Sequence, residues 1–134
     1  DKIPDIKLVL IGGGEVNIPD TIKNDVIDLG FVDIQDKYDA CAGAICLCQP
    51  SKNESFSIVI MESWLTERPV LVHSQCNVTS DFARESNSGL YFDNYFEFEG
   101  CLNYYIDNHS GRQFVLDNFK WDVVLKKFMD FLEL

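Results

Sequence analysis

Two glutamates flank a serine-containing segment whose residue types suit the binding of a phosphorylated sugar. Glu54 directly precedes Ser55, Phe56 and Ser57, and Glu62 follows with seven residues between the two acids. A helix that begins near the serines, either of which could cap it, presents free N–H groups and the positive end of its dipole to a diphosphate. Carboxylates accept hydrogen bonds from ligand hydroxyls, as ribose-binding acids do near a pyrophosphate site. The segment is therefore predicted to hold phosphates between two acids.

Glu62 has two possible interpretations on this predicted helix. Ile58, Met61 and Leu65 form an apolar stripe at helical spacing, and Glu62 falls on the same stripe. A carboxylate there costs free energy unless a partner satisfies it. It is either a charge at the edge of the stripe, paired or not with an arginine, or a carboxylate that binds ligand hydroxyls. At ~1.5 Å per residue, roughly 10–12 Å separates it from Glu54, about the reach from ribose to sugar in a nucleotide-diphosphate sugar.

The elements that must position these residues alternate along the chain. Apolar runs with β character occupy 6–11, 26–32, 44–48, 69–72 and 90–92, and helical segments are predicted at about 34–42, 56–67, 78–87, 95–109, 111–118 and 121–133. Continuous apolar strands are typical of a parallel sheet covered on both faces. The pattern predicts one α/β domain over residues 1–134, a Rossmann-like, doubly wound, mainly parallel sheet of about five strands with helices on both faces. Its ligand site should lie at the carboxyl ends of the strands.

Composition narrows the class of partner. The 134 residues carry a net charge of −11, and 46% of them are hydrophobic. Such a charge argues against nucleic acid or an anionic membrane, which need clustered Lys and Arg, but leaves a nucleotide possible because backbone amides can hold its phosphates. No signal peptide and no apolar run of about 20 residues is present. We therefore expect a soluble, cytoplasmic domain that makes no membrane contact.

The cysteine pattern favours structural thiols over a metal site. The number of cysteines is five, and Cys46 and Cys48 alternate so that they should point to opposite faces of a strand. No pair has zinc-finger spacing, and His73 and His109 stand far apart in the sequence. We expect reduced, buried cysteines of a cytosolic protein, and no metal.

The segment from Pro50 to Val72, PSKNESFSIVIMESWLTERPVLV, resembles the E-x7-E signature of the retaining glycosyltransferases of family 4, also called group 1. Its surroundings agree in order along nearly the whole chain. LVLIGGG resembles the family's strand ending in a G-x-G turn, VIDLGFV its V-x-x-x-G-x-V strand, and SGLYF its later strand. FKW at 119–121 resembles the motif before the final helix. The chain is similar to the C-terminal, donor-binding domain of these enzymes, which have the two-domain GT-B fold.

The resemblance implies retaining transfer of a hexose from a nucleotide-diphosphate sugar to an acceptor hydroxyl, without cofactor or metal. The acceptor would bind mainly on an N-terminal domain that is absent here, so the chain alone is expected to be inactive; its oligomeric state stays open. The implied site residues are Glu54 at the hexose as the catalytic residue, the amides of Ser55, Phe56 and Ser57 at the diphosphate, Glu62 at the ribose, and the backbone of Phe31 and Val32 at the base.

The chain also departs from the family pattern. Ser55 and Ser57 replace the glycines of E-G-F-G, and Glu67 stands where the family has glycine. The chain begins after the family's first C-domain strand, which lies in the middle of the sheet, and after the basic residues that meet the diphosphate. The sheet is thus expected to close up, to be completed by another chain, or to differ in strand order. The substituted glycines leave an alternative open, a non-catalytic nucleotide-binding or interaction module that keeps the fold.

Overall fold

The computed structural model describes residues 6–106 and 117–132. The chain divides into two compact units, with the boundary between Asp39 and Ala40. The first unit contains strand β1 (Leu8–Leu10), a 3-10 helix (Asp20–Asp25) and strand β2 (Val26–Asp28). The strands β1 and β2 pair in parallel. Helix α1 (Ile34–Gly43) begins in this unit and ends in the second.

The second unit contains three parallel strands and the segments that connect them. Its elements are β3 (Leu47–Gln49), α2 (Ile58–Leu65), β4 (Val70–His73), α3 (Asn77–Ser86), β5 (Gly89–Phe92), α4 (Tyr95–Ile106) and α5 (Trp121–Phe131). The strand order is β3-β4-β5. Each strand after β3 is reached through a helix, as parallel pairing requires, because the chain must return to the same end of the sheet.

Strand β4 is the centre of the core of the second unit. All four of its residues are buried, and side chains of α2 and α3 form one apolar cluster with it. Trp64 of α2 donates a hydrogen bond from Nε1 to the carbonyl of Ser88 at 2.9 Å, and the Tyr105 hydroxyl of α4 donates to the carbonyl of Val70 at 2.8 Å. Burial raises the pKa of Tyr105, so this donor stays protonated. The polar atoms of both large side chains are therefore satisfied inside the core.

The turn from α2 into β4 uses a backbone conformation that normally favours glycine. Glu67 follows the end of α2 with a φ of 63°, and its amide donates to the carbonyl of Trp64 at 2.9 Å. A left-handed residue just after a helix, with proline shortly beyond, is a common helix end. Glu67 thus has a left-handed backbone, which glycine adopts most easily, and Pro69 then leads into β4.

The predicted Rossmann-like α/β class with parallel strands is confirmed, and the described residues contain five strands as expected, although these form two sheets instead of one. The described residues contain two sheets, β1-β2 and β3-β4-β5. The helix expected at 111–118 and the end of the one expected at 95–109 fall mainly outside the described residues, as does His109.

The cysteines are free thiols, but most are not buried. Cys76 is buried, Cys41, Cys46 and Cys101 are half-buried, and Cys48 is exposed. The expectation of buried cysteines is therefore wrong for four of the five positions. Strand β3 is an edge strand of its three-stranded sheet and begins only at Leu47, so Cys46 precedes it. Desolvation, the largest effect, raises the pKa of the Cys46 thiol to about 12, which keeps it protonated near neutral pH.

Gly89 and Gly100 give a matched test of this packing. A Cβ on Gly89 would lie 2.6 Å from the Cβ of Ala83 and 2.8 Å from Cγ2 of Val70, whereas a Cβ on Gly100 in α4 would meet nothing within 4 Å. We expect Gly89→Ala to lower the free energy of unfolding by about 1–3 kcal/mol through overpacking. Gly100→Ala should raise it by about 0.8–1 kcal/mol because alanine is the better helix former. Urea denaturation of both variants measures the difference, and equal stabilities would contradict the packing of α3 against β4 and β5.

Candidate functional site

The candidate site is built on the loop that leaves β3. Pro50 follows the last residue of the strand and has no N–H to extend the ladder, so the chain turns into a polar loop. The Ser51 hydroxyl donates to the carbonyl of Asn53 at 3.0 Å and accepts from the Asn53 amide at 3.3 Å. These bonds fold the loop on itself immediately before Glu54.

A side chain from the strand also holds this loop. Nε2 of Gln49 donates to Oε1 of Glu54 at 3.2 Å and makes a longer contact of 3.5 Å with Oγ of Ser57. Its Oε1 accepts from the amide of Ser51 at 3.4 Å. The end of β3 thus contacts the beginning, middle and end of the loop.

The loop forms one wall of a cleft of about 510 Å³. The other wall is the turn after β4 and the first residues of α3. The lining residues are Lys52, Asn53, Glu54 and Ser55 on the loop, and Gln75, Cys76, Asn77 and Val78 opposite. The cleft is wide open to solvent, so a ligand bound there would be enclosed on two sides only.

The N-terminus of α3 brings hydrogen-bond donors to this cleft. Cys76, which is buried, lies at the N-cap position. Burial opposes ionisation of its thiol, but hydrogen bonds from Thr79 and from the backbone of Glu54 and Val78 outweigh this and lower its pKa. Cys76 and Glu54 both line the cleft, so the thiol lies where the start of α3 meets the loop. Because the amino end of a helix carries partial positive charge, this wall favours an anion.

Phe56 anchors the loop on its apolar side. Its ring packs edge-to-face against Phe82 of α3 and Phe119, with centroids 5.5 and 5.3 Å away, and those two rings are 5.6 Å apart. Edge-to-face contacts of this kind are favourable. The side chain of Phe56 is thus part of a packed aromatic trio, which leaves only its backbone for the predicted phosphate contact.

Ser57 occupies the N-cap of α2 with a φ of 65° and makes no side-chain capping bond. The expectation that a serine hydroxyl caps this helix is therefore wrong for Ser57. A left-handed conformation is strained for residues other than glycine. Of the described non-glycine residues, Ser57, Glu67 and Asn87 have positive φ, so Ser55 does not share the strain. One of the two replaced glycines, at 57, keeps a glycine-type backbone.

Of the three residues predicted to form the apolar stripe around Glu62, only Met61 is buried. The buried face of α2 consists of Ile60, Met61, Ser63 and Trp64, whereas Ile58 is 66% exposed and Leu65 is 40% exposed. Glu62 is half-buried, and at helical spacing it projects from the side of α2 opposite to that face. A carboxylate there does not carry the full cost of burial, so the argument from burial for a ligand role does not hold. The role of Glu62 stays a prediction from the resemblance.

The structure thus brings some of the predicted residues together. Glu54 and Ser55 line the cleft, while Phe56, Ser57 and Glu62 follow in the chain without lining it. Phe31 and Val32 belong to the other unit, where the ring of Phe31 is 87% exposed and lies directly against Gly13. Their contact with a base stays a prediction.

Sequence reasoning missed Gln49 and Cys76 and left Lys52 without a role. The position of Gln49 at the carboxyl end of a predicted strand, next to a predicted ligand loop, was an available signal. Cys76 had no comparable signal, because its place opposite Glu54 in the cleft depends on how the two loops meet. The described residues contain no group of three or more His, Cys, Asp and Glu that could hold a metal ion. None of the described helices has the length and apolarity to cross a membrane.

Most of the chain matches the model of a known protein family. The family model described as glycosyl transferases group 1 matches residues 1–104 of the 134. The matched part includes the loop after β3, the whole of α2 and both walls of the cleft. A comparison with curated proteins finds no significant match.

Replacing Ser57 with glycine tests the strained helix start. We expect Ser57→Gly to stabilise the chain by about 1 kcal/mol, because glycine removes the left-handed penalty, and to raise Tm by roughly 3–5 °C. Ser55→Gly, two residues earlier, is the control, and it should be neutral or destabilising because glycine adds only chain entropy. Thermal melts followed by circular dichroism measure both. A stabilising Ser55→Gly together with a destabilising Ser57→Gly would contradict the assigned backbone.

Proposed function

The chain belongs to the group 1 glycosyltransferases, and we propose that it binds a nucleotide-diphosphate sugar as donor for retaining transfer of a hexose to an acceptor hydroxyl. One observation carries this proposal. A single cleft of about 510 Å³ has a carboxylate and a lysine on one wall and a helix N-terminus on the other. A sugar diphosphate needs these three kinds of group.

The diphosphate is the part of the donor that we assign to Lys52 and the N-terminus of α3 in the cleft. The chain has a net charge of −11, so a dianion needs local donors instead of an attractive overall field. Lys52 and the first residues of α3 supply such groups in the cleft. The amides of Ser55, Phe56 and Ser57 at the start of α2 are the other proposed donors. Because negative charge grows on the diphosphate as the glycosidic bond breaks, donors already in place stabilise the departing group.

Glu54 is the residue that we assign to the hexose. Its carboxylate lines the cleft and accepts a hydrogen bond from Gln49, so its direction is restrained before any ligand binds. A carboxylate beside the ring can accept sugar hydroxyls and offset the positive charge that develops on the ring in the transition state. The chemistry requires no metal in this scheme, since helix dipole and cationic groups meet the phosphate charge.

The remaining parts of the donor are assigned by position. Glu62 is proposed to accept the ribose hydroxyls and the backbone at Phe31 and Val32 to meet the base. The acceptor is expected on a separate N-terminal domain, in a cytoplasmic enzyme.

A non-catalytic nucleotide-binding module is the second candidate function. The positive φ of Ser57 favours it, because a side chain there restricts the close approach of a ligand that glycine permits. An assay of sugar transfer by the full-length protein distinguishes the two candidate functions, because only the enzyme transfers sugar to an acceptor.

Glu62→Gln tests the ribose assignment. We expect the affinity of the full-length protein for UDP or GDP, whichever it binds more tightly, to fall about 10–100-fold. This corresponds to the loss of a charged hydrogen bond of about 1.5–3 kcal/mol. Isothermal titration calorimetry measures the change.

Glu85→Gln is the matched control for that experiment, since Glu85 is an exposed glutamate on α3. It should leave the affinity unchanged within about twofold, because surface charges contribute little at ordinary salt. Nucleotide binding that is equal in the wild type and in Glu62→Gln would remove Glu62 from the site. Absence of binding by the wild type would overturn the proposed function.

A further inference from the structure

Gln49 restrains the loop that carries Glu54 from a fixed point. It is the last residue of β3, and its backbone pairs with Val72 in the ladder to the buried strand β4. Its side-chain amide bonds Glu54 at 3.2 Å and Ser51 at 3.4 Å, and it contacts Ser57 at 3.5 Å. The sheet therefore fixes the backbone of Gln49, and the amide at the end of its side chain holds the loop that carries Glu54.

Chemistry decides the orientation of this amide. The carboxylate of Glu54 can only accept hydrogen bonds, and the amide of Ser51 can only donate one. The NH₂ group of Gln49 must therefore face Glu54 and its carbonyl oxygen must face Ser51. A flipped amide would place oxygen against oxygen and N–H against N–H, so it would lose both bonds.

We propose that Gln49 is a positioning residue for glycosyl transfer, which holds the carboxylate of Glu54 towards the donor hexose. The inference rests on the proposed function of this cleft. Among the described residues Gln49 does not line the cleft, whereas Glu54 does, so Gln49 acts through Glu54. Without the bond, the glutamate side chain samples several rotamers and faces the hexose for a smaller part of the time.

Gln49→Met provides the first measurement, because methionine has the same length and an unbranched chain but no amide. The assay is release of nucleotide from UDP-glucose, UDP-N-acetylglucosamine or GDP-mannose by the full-length protein, with the donor that the wild type uses best. We expect kcat to fall about 10–100-fold and KM for the donor to stay within about twofold. The split arises because the phosphates and ribose bind to other groups, whereas the carboxylate contributes most as the ring becomes charged.

Gln49→Glu provides the second measurement, since it puts a carboxyl against the carboxylate of Glu54. Two adjacent carboxyls share a proton up to a higher pH than an isolated one, and the shared proton restores a hydrogen bond. We expect kcat relative to wild type to be highest near pH 5.5 and to fall about tenfold or more by pH 8. Gln49→Met should show no such extra dependence on pH. A merely structural role for Gln49 would not produce this difference.

Gln35→Met is the matched control, because Gln35 donates the same kind of hydrogen bond to Asp39 at 2.8 Å on an exposed helix. It should leave kcat and KM unchanged. Two results would overturn the inference, provided that the wild type transfers sugar. One is a kcat of Gln49→Met equal to that of the wild type. The other is that both Gln49 variants lose kcat and nucleotide affinity equally at every pH. If the wild type neither binds nor cleaves any of the donors, the proposed function fails and this inference fails with it.

Discussion

Parallel pairing of β3 with β4 is the interaction on which the candidate site depends. Gln49 lies opposite Val72 in this ladder, so the loops that follow both strands leave the sheet at the same edge and side by side. One loop leads to Glu54 and α2, and the other leads to Cys76 and α3. The cleft between them exists because β4 is buried along its whole length and cannot shift without exposing the core.

Two positions at which the family pattern has glycine have left-handed backbones in this chain. Ser57 and Glu67 have φ of 65° and 63°, the region in which glycine costs least. Packing around α2 holds both turns, since Trp64 and Ile60 are fully buried and fix the helix between them. The protein thus accepts local strain at both ends of α2.

Much of the fold was predictable because the strands of the second unit are short, apolar and separated by helices. The predicted runs at 69–72 and 90–92 lie within one residue of β4 and β5 at each end. The division of the strands into two sheets, β1-β2 and β3-β4-β5, was not predictable from the apolar pattern. An apolar run predicts a strand, but it does not indicate which other strand pairs with it. The buried face of α2 was misassigned for a related reason. In IVIMESWL most residues are apolar, so Ile58 and Leu65 fit helical spacing as well as Ile60 and Trp64 do, and only packing decides between them.

The candidate site was predictable where chemistry depends on spacing along one segment, and not where it depends on contacts between segments. Glu54 and Ser55 were found from their place before a helix, and both line the cleft. The hydrogen bond from Gln49 and the position of Cys76 depend on how separate segments pack together in three dimensions. The order of residue types along the sequence does not contain that information. Lys52 could not be assigned from the family motif and was found in the cleft only through the loop's fold.

Hydrogen–deuterium exchange of the full-length protein, with and without a saturating nucleotide-diphosphate sugar, tests the central claim most directly. If the donor diphosphate occupies the cleft, amides at 51–58 and 75–79 should exchange several-fold more slowly with ligand bound, whereas those at the β5–α4 turn should not change. Unchanged exchange at 51–58 and 75–79 under saturating ligand, with protection at other segments, would contradict the assignment of this cleft as the donor site.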